Sequence, residues 1–150
     1  MKPLIIINLL LFLLPMASQS LMAEVNTSCQ LSVSISEIDV EEGGQVCVTV
    51  FKSSEGFPTE SDKAILSECQ LISKKQSQFE LNIPYGVYAV SVLHDANKNN
   101  EMDSNFFGIP KEGVGASNNA KGSFGPPSFK DASFKVDQSC QGQKIKMAYL

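Results

Sequence analysis

Asp95, Asn97 and Asn99 stand at alternate positions, and Glu101 and Asp103 continue the alternation. Such a D-x-N-x-N run offers side-chain oxygens at the spacing used by calcium loops, which supply about six to eight oxygens from alternate positions. On that pattern the ligands are Asp95, Asn97, Asn99, the backbone carbonyl of Glu101, and Asp103 directly or through water. Asn100 falls at the sharp turn where glycine is usual, and asparagine tolerates the left-handed backbone better than most residues. Phe106 stands where a helix-flanked calcium loop carries its closing bidentate glutamate, which leaves Glu112 and Asp131 as candidates for a last oxygen. The competing expectation is a polar hairpin tip in which Asp and Asn side chains bond the backbone as Asx turns.

His94 precedes this run and is the chain's single histidine. A histidine beside an aspartate is a candidate general base or metal ligand. No second histidine and no nucleophile at a recognisable spacing accompany it, so a catalytic constellation does not assemble, and a hydrolase built on His94 and Asp95 is a distant alternative. The bland role is a ring hydrogen-bonded within the long loop. The carboxylates of Asp95, Glu101 and Asp103 also fit a cation better than a glycosidase pair, which needs two carboxyls flanking a sugar at a set separation.

A long Gly/Asn/Pro loop follows. Asn105-Phe106-Phe107-Gly108-Ile109-Pro110 and Gly122-Ser123-Phe124-Gly125-Pro126-Pro127 share an aromatic–glycine–proline pattern. Glycine permits unusual backbone angles there and proline stiffens the chain. Phe106, Phe107, Phe124 and Phe129 are expected to plug one end of the fold, while Ser117, Asn118 and Asn119 offer hydrogen bonds to backbone or to a polar ligand. Two expectations stand: a packed, ligand-free cap, or a small-molecule or carbohydrate site drawing on His94, Asn105, Phe106, Phe107, Asn118 and Phe124.

The elements that must position these residues are strands. Leu31, Val33 and Ile35 alternate with Ser32, Ser34 and Ser36; Val46, Val48 and Val50 continue the pattern after the polar turn 39–44, and the two runs read as a β-hairpin. Residues 64–72 are ambiguous between helix and strand. Phe79, Leu81 and Ile83 alternate again, as do Tyr88, Val90 and Val92, and strands 132–136 and 144–150 close the chain with Phe134, Val136, Ile145, Met147 and Tyr149 inward. About seven short strands separated by turn signals imply an all-β antiparallel sandwich of immunoglobulin or prealbumin type, with one long loop.

Compartment follows from the ends and the cysteines. Lys2, an apolar run from Leu4 to Leu14 and small residues up to Ala23 have the layout of a Sec-type signal peptide, with cleavage placed after Ala23. Removing 23 of 150 residues leaves 127, one domain of residues 24–150, periplasmic or secreted. Four cysteines in an exported chain read as two disulfides with several connectivities open. Cys29–Cys140 is favoured because it ties the ends together, and Cys47–Cys69 because it clips the loop after the second strand. The basic residues are all lysine and the formal charge is −4. Without arginine, the usual group for planar phosphate and base recognition, a nucleic-acid partner is not expected. Nor is stable membrane insertion, and the chain is expected to be a monomer.

Several of these segments resemble one bacterial family of exported proteins, domain of unknown function 2141. The residues that carry the resemblance are His94-Asp95, Asn97-x-Asn99, Asp103, Asn105-Phe106-x-Gly108-Ile109-Pro110, Glu112-Gly113, Ser117-Asn118-Asn119 and Gly125-Pro126-Pro127-Ser128-Phe129. Ser54-Glu55-Gly56-Phe57-Pro58 and Pro84-Tyr85-Gly86-Val87-Tyr88-Ala89-Val90 extend it over roughly residues 31–150. The resemblance implies a prealbumin-like or carboxypeptidase-regulatory-like sandwich and no established activity. Family sequences often have Gly where this chain has Asn100 and an acid where it has Ala96, which weakens the calcium pattern. The sequence therefore points to a non-enzymatic exported module with a structural or binding role, calcium being the candidate cofactor.

Overall fold

The computed structural model describes residues 27–150, so the segment read as a signal peptide lies outside the described residues. Eight strands form two sheets. The first has the order β4–β1–β8, from β1 (Ser28–Ser36), β4 (Gln76–Pro84) and β8 (Gln143–Lys146). The second runs β3–β2–β5–β6, from β2 (Gln45–Phe51), β3 (Leu66–Leu71), β5 (Gly86–Asp95) and β6 (Val114–Ala116), and β7 (Phe134–Val136) also pairs with β5.

The alternating residues face each other between the sheets. Leu31, Val33 and Ile35 of β1 pair in register with Leu81, Phe79 and Ser77 of β4, while Val46, Val48 and Val50 of β2 lie opposite His94, Val92 and Val90 of β5. All the apolar members are buried and belong to one core with Ile38, Ile83, Tyr88, Val136, Ile145 and Met147. Burial of each such side chain contributes about 1.5–3 kcal/mol.

Two expectations change and one ambiguity is resolved. The first two alternating runs are not a hairpin: β1 and β2 belong to opposite sheets, and residues 37–44 cross between them. Alternation identifies the inward face of a strand but not its neighbour. The sandwich is not wholly antiparallel either, because β8 runs parallel to β1, pairing Ile145 with Ile35. The ambiguous 64–72 segment contains the edge strand β3.

β2 is buried on both faces. Its outward Phe51 meets Phe57 edge to face at 5.4 Å, and Phe57 meets Phe129 at 5.8 Å. The 52–65 loop and α1 (Phe129–Ala132) thus cover the outer face of the second sheet, over a small core of Ala89, Ala116 and Ala132. Both favoured disulfides are present. Cys29–Cys140 joins the start of β1 to the chain before β8, and Cys47–Cys69 links registered residues of β2 and β3 at a Cα separation of 4.0 Å. In the chain-entropy account each stabilises by about 3–5 kcal/mol.

The phenylalanine plug is a third correction. Phe106, Phe107 and Phe124 are 98%, 82% and 105% exposed, and of the four only Phe129 packs. Residues 94–129 are not one cap but a succession of short, separately anchored pieces.

Candidate functional site

β5 ends in His94 and Asp95, which strand alternation sends to opposite faces, yet both are fully buried. His94 lies opposite Val46 at the end of the core. Its Nε2 is 2.7 Å from the Gly43 carbonyl, and a carbonyl only accepts, so Nε2 carries the proton. In the neutral ring Nδ1 then accepts from the Tyr149 hydroxyl at 2.8 Å, and that hydroxyl accepts the Asp39 N–H at 2.7 Å. One clasp thus joins β5, the 37–44 crossing and the C-terminal segment. The expected histidine bond within the long loop is instead a pair of bonds to the 37–44 crossing and the C-terminal segment. Burial raises the Tyr149 hydroxyl above its ordinary 10.0; the Asp39 N–H opposes this, and the charges of Asp39 and Glu42 add to it. The hydroxyl therefore stays a donor at neutral pH.

Two glycines make the clasp possible. Gly44, at φ +80°, lies so close to the Asp95 and Ala96 backbone that a Cβ would collide with it. A Cβ on Gly113 would run into the Tyr149 ring.

Asp95 organises the turn that follows. Its carboxylate accepts from Gln45 Nε2 at 2.8 Å, Asn100 N–H at 2.9 Å and Asn99 N–H at 3.1 Å. Burial alone would raise its pKa, but the bond from Gln45 and those from backbone N–H groups outweigh it and hold the group below the ordinary 3.8. Asn97 Oδ1 accepts the Asn99 N–H, and Asn99 Oδ1 accepts the Glu101 N–H. These are two successive Asx turns. Lys98 and Asn100 both take φ of +61°, as the sharp turn requires.

Glu112 closes the turn from below. Nearly buried, it accepts the Ala96 N–H with one oxygen and the Asp103 N–H with the other, each at 3.0 Å. The residue considered as a last calcium oxygen therefore holds the first and last parts of the loop together. Asp131, the other such candidate, bonds Ser128 at the start of α1.

The five candidate ligands are near one another in sequence but do not converge. Asn97 and Asn99 turn their amide NH₂ groups towards Asp103, at 2.6 and 3.5 Å, while their oxygens face the backbone. Glu101 is exposed. Among the described residues no three acidic, histidine or cysteine side chains cluster as a metal group.

The ligand-site candidates scatter as well. Asn105 accepts the N–H groups of Phe107 and Ile109 and forms the base of a small turn. Asn118, at φ +59°, donates to the carbonyls of Asp131 and Ser133. Asn119 bonds both Lys144 and Lys146, and buried Ser117 accepts from Val90 and donates to Ala132. Ser117-Asn118-Asn119 thus bonds backbone, stitching β5, α1 and β8. A cleft of about 410 Å³ is lined by Ser34, Ser36, Gln76, Gln78, Lys74 and Lys144, and one of about 210 Å³ lies beside Ile38 and Leu71; neither touches residues 105–129.

Tyr149, Gln45 and Gly43 were not singled out as site residues by sequence. Tyr149 carries an inward strand signal, but nothing local marks a bond across 55 residues.

A family model described as an uncharacterized protein conserved in bacteria (DUF2141) matches residues 33–144. The chain belongs to that family, and the match spans Gly43, His94, the turn and the exposed tip, while Tyr149 of the clasp lies beyond it. No curated protein and no solved structure matches the chain.

Proposed function

We propose that this protein is an exported β-sandwich module acting through structure or binding rather than catalysis. One observation carries the reading: the chemically capable side chains of the 94–112 segment already hold the fold. His94 has both ring nitrogens engaged, Asp95 accepts three donors and Glu112 accepts two. The two disulfides fit an oxidising compartment, and the apolar leader supplies the route. Expression of the full chain should yield processed, disulfide-bonded protein outside the cytoplasm. Unprocessed, reduced protein retained in the cytoplasm would contradict export. A hydrolytic activity lost in a folded Asp95→Asn variant would contradict the non-catalytic role.

Calcium at Asp95, Asn97, Asn99, Glu101 and Asp103 is a second reading, favoured by one fact. Asp95 and Glu112 are two buried carboxylates on the same turn whose bonding partners are all neutral. Calcium would draw the Asn97 and Asn99 oxygens towards Asp103. At calcium tenfold above a dissociation constant of about 0.1–1 mM, stabilisation should be about 1.4 kcal/mol. Asp103→Ala should abolish the rise in melting midpoint, and an unchanged midpoint in native protein would remove calcium.

A further inference from the structure

Seven consecutive residues, Ser104 to Pro110, carry no charge and close on themselves. Ser104 and Pro110 form a bridge, the Asn105 N–H donates to the Ile109 carbonyl at 2.8 Å, and the Gly108 N–H donates to the Asn105 carbonyl at 2.9 Å. The Asn105 side-chain oxygen takes the Phe107 and Ile109 N–H groups at 2.9 and 3.1 Å. Between Asn105 and Ile109, every N–H except that of Phe106 is thereby bonded within the turn. At the apex Phe106 and Phe107 meet edge to face at 5.6 Å, 98% and 82% exposed, with Ile109 half exposed beside them. The two rings present about 350 Å² of apolar surface, comparable to the largest, often functional patch on a monomeric protein.

What this apex enters is constrained by its shape and bonding. A standard protein interface buries about 800 Å² per partner, more than twice what the rings offer. A second copy of the chain offers, in its 410 Å³ cleft, Ile35 as the single apolar side chain among Ser, Gln and Lys residues to receive a ring. A lipid interface asks for what the tip has: apolar rings at the apex, no charge, and all backbone donors from Asn105 to Ile109 but that of Phe106 bonded internally before water is left behind. The flanks decide the lipid class. Lys98 and Lys111 are outnumbered by Glu101, Asp103 and Glu112, and the whole chain is acidic, so no basic patch draws it to anionic headgroups.

We infer that Ser104–Pro110 is a membrane-interface tip that inserts Phe106 and Phe107 reversibly into zwitterionic lipid, holding the sandwich at a membrane surface. The inference deepens the binding role proposed above by naming its partner. It is a peripheral contact; among the described residues no helix is long and apolar enough to cross a membrane.

The test uses residues 24–150, which contain every described strand and both disulfides, with phosphatidylcholine vesicles. The chain has no tryptophan, so Phe107→Trp is a sole reporter. Its emission should move to shorter wavelength on adding vesicles and be quenched by brominated acyl chains. Native protein and Phe124→Ser should float with the vesicles, while Phe106→Ser/Phe107→Ser should lose at least about tenfold in partitioning with an unchanged melting midpoint. Unshifted emission together with absence of flotation overturns the inference. So does equal flotation of the double variant, or binding that requires anionic lipid and vanishes in salt. A dimer that only the double variant disrupts, with no vesicle binding, assigns the tip to a protein partner and also overturns it. Export is read separately by fractionation, so its failure cannot be mistaken for failure of the tip.

Discussion

Two pieces of one segment, with ten residues between them, use their side chains in opposite ways. At His94 and Asp95, groups with acid–base capability are fully buried and every polar atom has a partner. At Phe106 and Phe107, apolar rings that would ordinarily fill a core stand in solvent on a turn whose own bonds keep it closed. The polar residues act as core and the apolar ones as surface. Residue type alone would assign function to the first piece and packing to the second; in the fold the first is packed and the second exposed. The buried piece fixes where the tip begins, because Glu112 holds Asp103 one residue before the bridge of Ser104 to Pro110.

The largest effect that would sharpen this contrast is in the clasp. His94→Ala removes two buried hydrogen bonds and leaves a cavity, and should cost about 3–5 kcal/mol in chemical unfolding. A loss below about 1 kcal/mol would mean that the ring is not structural. Tyr149→Phe keeps the ring but orphans His94 Nδ1 and the Asp39 N–H, and should cost about 1–2 kcal/mol. Because the folded Tyr149 hydroxyl titrates above 10.0, its clasp contribution is present below pH 10.0 and is lost as pH rises through the higher folded value. Native protein should show that alkaline loss, and Tyr149→Phe should not.

Acid probes the turn. The Asp95 carboxyl is held below 3.8 in the fold, so its contribution is present above pH 3.8 and disappears as pH falls through the lower folded value. A melting series from neutral pH downward should show this limb, and Asp95→Asn should flatten it. An equally steep limb in the variant would place the acid sensitivity elsewhere. The smallest effect belongs to the tip: Phe106→Ser/Phe107→Ser should change stability by no more than about 0.5 kcal/mol. A large loss there would erase the contrast.

The inward faces were legible because Val33, Phe79, Val48 and Val90 alternate with polar neighbours or lie in valine-rich runs, and period two survives without knowledge of partners. Strand neighbours were not. Ile145 reads the same whether β8 runs parallel or antiparallel to β1, and Val46 the same whether β1 is its neighbour or faces it across the core. The favoured cysteine pairing holds, with Cys47 and Cys69 directly opposite in adjacent strands. The Asx turns at Asn97 and Asn99 were foreseeable from local bonding rules. The exposure of Phe106 was not, since a phenylalanine signals burial on average and only the closed turn beneath it keeps it outside. Nor was the clasp: Tyr149, His94 and Gly43 meet through tertiary folding over separations that leave no local pattern.

The central claim is that the carboxylates of this segment hold backbone. Amide hydrogen exchange on Glu112→Ala tests it most directly. The Ala96 and Asp103 N–H groups lose their acceptor, so both should exchange at least about tenfold faster, while the Phe107 and Ile109 amides, held by Asn105, should keep their native rates. Unchanged exchange at Ala96 and Asp103 would contradict the account, because Glu112 would then be free for some other task.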